Sequence, residues 1–202
     1  GAYYVDALTG FSNIVAASRK AESSTGHQFV FAYEEAIGFL VGNVVLDKDG
    51  INAGARFMEI VCYLKQSNKT VWEFLDELML EYGLFVTSQW SIRFDGIGSM
   101  DSMRQVMKQV IAMPSSQMSH CLAVSGGHKY DLNNEQTHNS YEGMLANVVI
   151  FESDQARLII RPSGTEPKIK FYLELNDQAT DVKYLSMKRS ALEQKLHECR
   201  SH

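Results

Sequence analysis

The sequence predicts the back half of an α/β domain in residues 1–88, followed by an α+β domain in residues 89–202. A short apolar strand followed by two helical patterns is typical of the back half of an α/β domain. At residues 86–91 the apolar period changes from helical to the alternation of residues 91–94. Beyond this boundary come a helix, several alternating segments and a last helix, and this order favours an α+β domain.

The first domain begins with a predicted strand over residues 3–8. Residues 12–27 have no sustained period, so a short helical start and then a loop are expected there. Residues 29–32 are predicted to form a second short strand, which places Glu34 and Glu35 beyond its carboxyl end. Open α/β sheets usually bind their ligands at that end of the strands, so the two carboxylates are candidate ligand-binding groups.

Two helices complete the first domain. Residues 52–66 are predicted to form the first one. Thr70 and Glu73 form a capping box that opens the second, and Gly83 ends it. The apolar faces consist of Phe57, Val61 and Leu64 in the first helix and of Phe74, Leu75, Leu78, Met79 and Tyr82 in the second.

The second domain is predicted to begin with a helix that Asp101 or Ser99 caps and Pro114 ends. A final helix follows Asp181, and the polar stretch 125–143 is expected to be a long loop. The last two strands alternate on either side of a loop, which is typical of an antiparallel hairpin. The strands are expected at residues 121–124, 145–152, 155–161 and 170–175, and the inward helix residues are Met103, Val106, Met107, Val110 and Ile111 in the first helix and Val182, Leu185, Leu192 and Leu196 in the last.

The loop of that hairpin lies in the segment RPSGTEPKIK, residues 161–170, and has the composition of a phosphate-binding loop. Its arginine offers a planar fork of donors, its serine and threonine offer hydroxyls, its glycine lets an anion approach the backbone, and its lysines add positive charge. The segment lacks the P-loop pattern and the G-x-G-x-x-G of dinucleotide-binding folds. From the residues alone, an ordinary surface hairpin is the alternative interpretation.

The segment RPSGTEPKIKFY, residues 161–172, resembles the C-terminal phosphate-binding loop of the alpha-D-phosphohexomutases, the phosphoglucomutase and phosphomannomutase family. FAYEEAIGF at residues 31–39, followed by DKDG at residues 47–50, resembles the sugar-recognition loop of that family's third domain. LTGF at residues 8–11 resembles the Thr-Gly-Phe/Trp turn beside that loop. The three motifs occur in family order, so the resemblance implies part of domain 3 followed by domain 4, a small four-stranded sheet with helices on one face.

The resemblance implies one group of residues that binds sugar hydroxyls and another that binds phosphate. From the residues alone, the paired carboxylates also fit a solvated helix N-terminus, and a lysine between two aspartates also fits a neutralised surface loop. Ala36 and Ser12 depart from the family's usual Ser and Lys, so we expect phosphate to govern binding. The implied sugar-binding residues are Glu34, Glu35, Thr9, Gly10 and Lys48, and the implied phosphate-binding residues are Arg161, Ser163, Gly164, Thr165 and Lys170.

The activity that the resemblance implies is interconversion of hexose 1-phosphate and hexose 6-phosphate through a sugar bisphosphate. The family's phosphoserine lies in a Ser-His-Asn-Pro motif and its Mg²⁺ in an Asp-Gly-Asp-x-Asp-Arg loop, and this sequence contains neither. Ser119-His120 and DKDG are unrelated look-alikes, so no catalytic residue and no metal ligand is assigned. We expect a C-terminal part that is inactive alone, with Mg²⁺ and a bisphosphate activator acting in the full-length enzyme. The alternative is a stand-alone, non-catalytic phosphosugar-binding or regulatory module.

Composition limits the partners. A net charge of −5 and a pI near 5.7 argue against nucleic acid, which requires a basic surface. Three cysteines without Cys-x-x-Cys spacing and the lack of a secretory leader favour the cytoplasm, and no apolar run approaches the ~18 residues of a membrane span. The family's third domain begins earlier than this chain, so missing N-terminal mutase domains or a partner chain are expected to cover its incomplete sheet.

Overall fold

The computed structural model describes residues 2–35, 37–132 and 146–201. By its internal contacts the chain divides into two compact units, Gly1–Phe74 and Leu75–His202. A fragment of an α/β domain is followed by an α+β unit, which confirms the predicted fold class. The predicted domain limit between residues 88 and 89 stays a prediction, because compact units report contacts and not the limits of family domains.

The first unit consists of a small antiparallel hairpin and helices. Strands β1 and β2 pair from Phe31 opposite Val41 to Glu34 opposite Gly38. A small core of Phe11, Ile14 and Leu40 lies where the first helix meets the hairpin. The elements are α1 (Phe11–Thr25), β1 (Phe31–Glu34), β2 (Gly38–Val41), α2 (Gly50–Gln66) and the first turn of α3 (Val71–Tyr82).

Three predictions for the N-terminal third need correction. Residues 3–8 are not a strand, since no strand in the described part of the chain lies beside them to complete a ladder. The helix α1 continues to Thr25, because hydroxyls such as those of Ser18 and Thr25 bond to carbonyls one turn earlier and so fit a helix. The strand expected at residues 29–32 lies instead at Phe31–Glu34, and β2 was not predicted.

Both predicted helices of the first domain are confirmed. The Asp49 carboxylate accepts the Asn52 N–H at 2.9 Å and caps α2. The capping box of α3 forms as predicted, with Thr70 N–H to Glu73 Oε2 at 2.7 Å and Glu73 N–H to Thr70 Oγ1 at 3.1 Å. Burial of the predicted apolar faces is only partial, since Leu64 is buried while Phe57 is 52% exposed.

The second unit is a five-stranded antiparallel sheet with its core on one face. The strand order is β3-β7-β6-β5-β4, one strand more than the resemblance implies, because β4 pairs with β5 at one edge. Alternate residues of the strands pack with three helices in a single core. The elements are β3 (Leu84–Arg93), α4 (Ser99–Ala112), α5 (Ser115–Cys121), β4 (His128–Asp131), β5 (Val149–Glu152), β6 (Ala156–Pro162), β7 (Lys168–Asp177) and α6 (Val182–Ser201).

The strand predicted at residues 121–124 is wrong. That segment ends α5 and then turns, with Leu122 buried in the core and Ala123 at a φ of 48°. Strand β4 lies inside the predicted loop 125–143, of which residues 133–143 are outside the described part, as is the first residue of the strand expected at 145–152. Gly98 caps α4, with no side-chain hydrogen bond from the predicted Asp101 or Ser99.

The hairpin and the last helix are confirmed. Strands β6 and β7 pair antiparallel, with Arg161 opposite Lys170. Asp181 Oδ1 accepts the Lys183 N–H at 2.8 Å at the start of α6. Of the residues expected to point inward from the described helices, the buried ones are Met103, Met107, Val110, Leu185 and Leu196. No described helix is long and apolar enough to cross a bilayer.

Candidate functional site

The candidate phosphate loop joins β6 to β7 and is fixed by backbone hydrogen bonds. Ser163 N–H donates to Lys168 O at 2.8 Å, and Lys168 N–H donates to Glu166 O at 2.8 Å. Phe94 N–H, just beyond β3, donates to Pro167 O at 2.9 Å. The loop therefore begins and ends on a rigid sheet, which limits how far its polar groups can move.

Glu166 shapes this loop through charge. Its carboxylate forms an ion pair with Lys168 and lies 3.6 Å from Arg93 Nη2. The hydrogen bond and charge of Lys168 hold the pKa of Glu166 below its ordinary value. Glu166 thus partly neutralises Lys168 and Arg93, and the charge of Lys170 acts on it more weakly. Neither Arg161 nor Lys170 forms a direct ion pair among the contacts of the described residues.

Arg161 and Lys170 occupy directly opposite positions of neighbouring antiparallel strands. Like charges in such a pair repel, at a cost of roughly 0.2–1 kcal/mol. The Arg161 guanidinium also donates from Nη2 to Tyr172 Oη at 3.1 Å and lies 5.6 Å from the centre of the tyrosine ring. An oxyanion bound to both cations would relieve their repulsion, so the pair is chemically suited to phosphate.

The rest of the predicted phosphate group lies in the loop itself. Gly164 and Thr165 are exposed and Ser163 is half-buried. A Cβ added at Gly164 would meet no atom within 4 Å, so the space above the loop tip is open to a ligand. The hairpin brings Arg161 and Lys170 together, and the loop that holds the two hydroxyls and the glycine begins two residues after Arg161.

In the first unit, three segments that are separated in sequence meet at Glu34. The Glu34 side chain is only 8% exposed, and its Oε2 accepts the backbone N–H of Gly10 at 3.3 Å. The Lys48 ammonium forms an ion pair with Oε1 and lies 5.5 Å from the centre of the Phe11 ring. The predicted Thr-Gly-Phe turn, acidic residue and lysine therefore form one polar cluster.

Glu34 approaches the N-terminus of α1. Gly10 caps this helix with a φ of 112°, and its carbonyl accepts the Asn13 N–H at 3.0 Å. The Asn13 side chain donates to Thr9 O at 2.9 Å. A carboxylate beside a helix N-terminus is stabilised by the helix dipole, so the helix-terminus interpretation of Glu34 also holds, although the helix precedes it in sequence.

Some predicted sugar-binding residues lie outside this cluster. Glu35 is exposed in the turn after β1. Thr9 is also exposed, and its backbone carbonyl accepts the bond from the Asn13 side chain. The carboxylates beside Lys48 have structural partners, since Asp47 Oδ1 accepts the Lys48 N–H at 2.7 Å and Asp49 caps α2. Ala36, one of the two departures from the family pattern, is outside the described residues.

Sequence reasoning missed several residues that shape these clusters. Tyr172 lies two residues after Lys170, on the same face of β7, so strand alternation could have indicated it. Arg93 reaches Glu166 only through the pairing of β3 with β7, which no local pattern shows. Phe11 was part of a quoted motif, but its packing against Gly38 depends on tertiary contacts.

Across residues 2–35, 37–132 and 146–201, no three His, Cys, Asp or Glu side chains come close enough to hold a metal ion. Ser119, the look-alike of a phosphoserine, is buried, with its Oγ 3.0 Å from Ser115 O and 2.9 Å from Gly126 O. No metal ligand is therefore assigned among the described residues.

The family comparisons agree with this arrangement. Residues 1–82 match the family model described as "Phosphoglucomutase/phosphomannomutase, alpha/beta/alpha domain III". Residues 130–187 match "Phosphoglucomutase/phosphomannomutase, C-terminal domain". The two matches follow family order and together span most of the chain, so the chain belongs to the phosphoglucomutase/phosphomannomutase family and carries its C-terminal portion.

Individual relatives have names from the same group of enzymes. The chain is 34% identical over 162 residues to "Probable phosphomannomutase" of Haemophilus influenzae, an alignment that covers 76% of this chain and 31% of the relative. It is 29% identical over 184 residues to "Phosphoglucomutase" of Staphylococcus epidermidis, and this alignment covers 89% of this chain and 33% of the relative. It is 28% identical over 187 residues to "Probable phosphoribomutase" of Schizosaccharomyces pombe, and this alignment covers 86% of this chain and 31% of the relative. The chain thus spans about a third of the length of these relatives.

Proposed function

We propose that this chain provides the sugar- and phosphate-binding surfaces of an enzyme that interconverts hexose 1-phosphate and hexose 6-phosphate through a bisphosphate. The single observation that carries this proposal is the cross-strand pair of Arg161 and Lys170 at the base of an open loop. Two opposed cations are unfavourable in an empty protein and become favourable with a doubly charged anion between them. A phosphate also suits the hydroxyls of Ser163 and Thr165.

The sugar side of the proposal rests on Glu34. A carboxylate oxygen accepts more than one hydrogen bond, so Oε2 can bind a sugar hydroxyl beside the Gly10 N–H. Oε1 becomes available in the same way when the half-exposed Lys48 turns toward the ligand. Charge-assisted bonds of this kind are stronger than neutral ones, which suits recognition of neighbouring hydroxyls.

In the whole enzyme, this chain would hold the sugar and the phosphate that does not react, while the other phosphate is transferred. The bisphosphate would then reorient, so that each phosphate in turn occupies the loop that follows Arg161. Positioning of this kind lowers the entropic cost of the transfer step. As the family implies, Mg²⁺ would be held by residues other than those described here and would support phosphoryl transfer. Sugar bisphosphate would serve as activator and intermediate.

The choice of sugar is part of the proposal. Relatives carry the names phosphomannomutase, phosphoglucomutase and phosphoribomutase, and we propose a phosphohexose substrate for this chain. Three free cysteines support a reducing, cytoplasmic location. Exposed aromatic residues on the two-stranded sheet, Phe31 and Tyr33 among them, support further mutase domains or a partner chain as the cover of this surface.

A calorimetric titration tests the proposal. The full chain is expected to bind glucose 6-phosphate and glucose 1,6-bisphosphate. It is not expected to bind glucose, which lacks a phosphate. Arg161→Lys should weaken binding about tenfold or more, because lysine keeps the charge but not the bidentate fork. Arg104→Lys is the matched control, since Arg104 pairs with Asp101 on α4 and should bind as the wild type does. Unchanged affinity in a folded Arg161→Lys variant would remove this loop from the binding site.

A further inference from the structure

We propose that Tyr172 is a positioning residue that holds the Arg161 guanidinium ready for the phosphate, and this inference rests on the proposed function. Tyr172 is two residues beyond Lys170 on β7 and diagonal to Arg161 across the strand pair. Its hydroxyl accepts from Arg161 Nη2 at 3.1 Å, and its ring centre lies 5.6 Å from the guanidinium carbon. One side chain therefore contacts the arginine in two ways.

These contacts decide which edge of the guanidinium a ligand can reach. Arg161 Nε is closed to solvent and has no hydrogen-bond partner among residues 2–35, 37–132 and 146–201. An anion in the open loop can therefore bind only the two Nη groups. Because Tyr172 takes one Nη2 hydrogen and its ring centre lies 5.6 Å from the guanidinium carbon, it restricts the directions in which the remaining hydrogens point.

The need for such a support follows from the charges. Lys170, directly opposite Arg161, repels the guanidinium, and Glu166 is engaged with Lys168 and Arg93. A free arginine side chain would turn away from Lys170 into solvent and lose rotational freedom again on binding. The hydroxyl and the ring of Tyr172 oppose this movement, so part of the ordering is complete before phosphate arrives.

Two substitutions separate the hydroxyl from the ring. Tyr172→Phe removes the acceptor and keeps the ring, and we expect inorganic phosphate and glucose 6-phosphate to bind about three- to tenfold more weakly. Tyr172→Leu removes both contacts, and we expect a loss of about tenfold or more. Tyr184→Phe, at a solvent-exposed tyrosine of α6, is the matched control and should leave both affinities unchanged.

A double-mutant cycle distinguishes positioning from direct contact with the ligand. If Tyr172 acts through Arg161, Tyr172→Phe should change affinity by less than about twofold in an Arg161→Lys background. A similar loss in both backgrounds would mean that the Tyr172 hydroxyl binds phosphate itself, and it would overturn the inference. A thermal melt of each variant checks that the fold is retained.

A second measurement needs no ligand. The Nε–H proton of Arg161 is closed to solvent, so its resonance should exchange slowly with water in the unliganded wild type. It should exchange faster in Tyr172→Leu, while Tyr184→Phe should leave it unchanged. Unchanged exchange together with unchanged affinity in Tyr172→Leu would overturn the inference. Failure of the wild type to bind any phosphate would instead overturn the proposed function, which the exchange measurement does not test.

Discussion

The backbone N–H of Gly10 donates a hydrogen bond of 3.3 Å to the carboxylate of Glu34, 24 residues later in the chain. The same carboxylate is paired with Lys48 and is almost fully covered. Gly10, Glu34 and Lys48 come from different segments of the chain. The hydrogen bond and the ion pair together therefore connect the N-terminus of a helix, the end of a strand and a surface loop. A nearly buried carboxylate with such partners is costly to disturb, which makes it a sensitive position for substitution.

Glu34→Gln should therefore weaken the binding of glucose 6-phosphate more than that of inorganic phosphate. Only the sugar has hydroxyls for the carboxylate, so the additional loss should be roughly 1–3 kcal/mol. Paired calorimetric titrations of the two ligands measure it. Glu59→Gln is the matched control, because Glu59 is an exposed residue of α2 that pairs with Arg56 and belongs to neither predicted group. Equal losses for both ligands in Glu34→Gln would place this carboxylate outside the sugar site.

Gly38→Ala should destabilise the first unit. An added Cβ would lie 2.6 Å from Phe11 Cε2, so the ring that supports Lys48 must move, at a cost of about 1–3 kcal/mol. Urea unfolding followed by circular dichroism measures the change. Gly54→Ala is the control, because a Cβ there meets nothing within 4 Å and a helical alanine should stabilise α2 by up to about 1 kcal/mol. Equal stabilities of the two variants would contradict the packing of Phe11 on Gly38.

Local signals in the sequence were sufficient for some elements. The capping box at Thr70 and the hairpin around Arg161 depend on residues that are neighbours in sequence, and both formed as predicted. The segment 121–124 resembled a strand because it is a short continuous run of apolar residues, but Leu122 is buried at the end of a helix. The segment 3–8 could not be judged locally, because a strand forms only beside a second strand that supplies its hydrogen-bond partners.

The candidate site shows the same division. The motifs indicated Glu34, Lys48 and Arg161 by residue type and order, without showing what each contacts. The bond from Gly10 and the cation opposite Arg161 arise from tertiary pairing and strand register, which a short sequence pattern does not contain. Whether the ten predicted residues bind sugar and phosphate stays a prediction.

Thr70→Ala and Glu73→Ala should each lower the melting temperature at neutral pH, because each removes one half of the capping box. Hydrogen bonds from Thr70 hold the pKa of Glu73 below its ordinary value. The stabilisation by Glu73 is thus present above the ordinary carboxyl pKa and is lost as the pH falls through the lowered pKa. Melts over a pH series should show the gap between wild type and Glu73→Ala closing in acid. Thr70→Ser, which keeps the hydroxyl, is the control and should retain most of the stability.

Cys199 should be alkylated by iodoacetamide more slowly than Cys62 and Cys121. Burial raises the pKa of the Cys199 thiol, while the other two cysteines are exposed. A higher pKa means that less of the Cys199 thiol is present as thiolate at neutral pH, so its alkylation is slower. The alkylation rate of Cys199 should therefore still increase with pH after the rate of an ordinary thiol has reached its plateau. Peptide mass spectrometry over time gives the rate at each position. Equal rates at Cys199 and Cys62 in the folded chain would contradict the burial of Cys199.

This chain alone should not convert glucose 1-phosphate to glucose 6-phosphate, even with Mg²⁺ and glucose 1,6-bisphosphate present. Transfer through a covalent intermediate needs an accessible nucleophile, and the sequence contains no Ser-His-Asn-Pro motif. The look-alike Ser119 is buried, with its oxygen close to the carbonyls of Ser115 and Gly126. A coupled assay for glucose 6-phosphate measures turnover, with a mock purification as the blank and binding of glucose 6-phosphate as the check that the chain is folded. Any turnover above the blank would contradict the prediction and show that the role of this chain extends beyond binding. Turnover that Ser119→Ala leaves intact would show that the nucleophile is another residue of this chain.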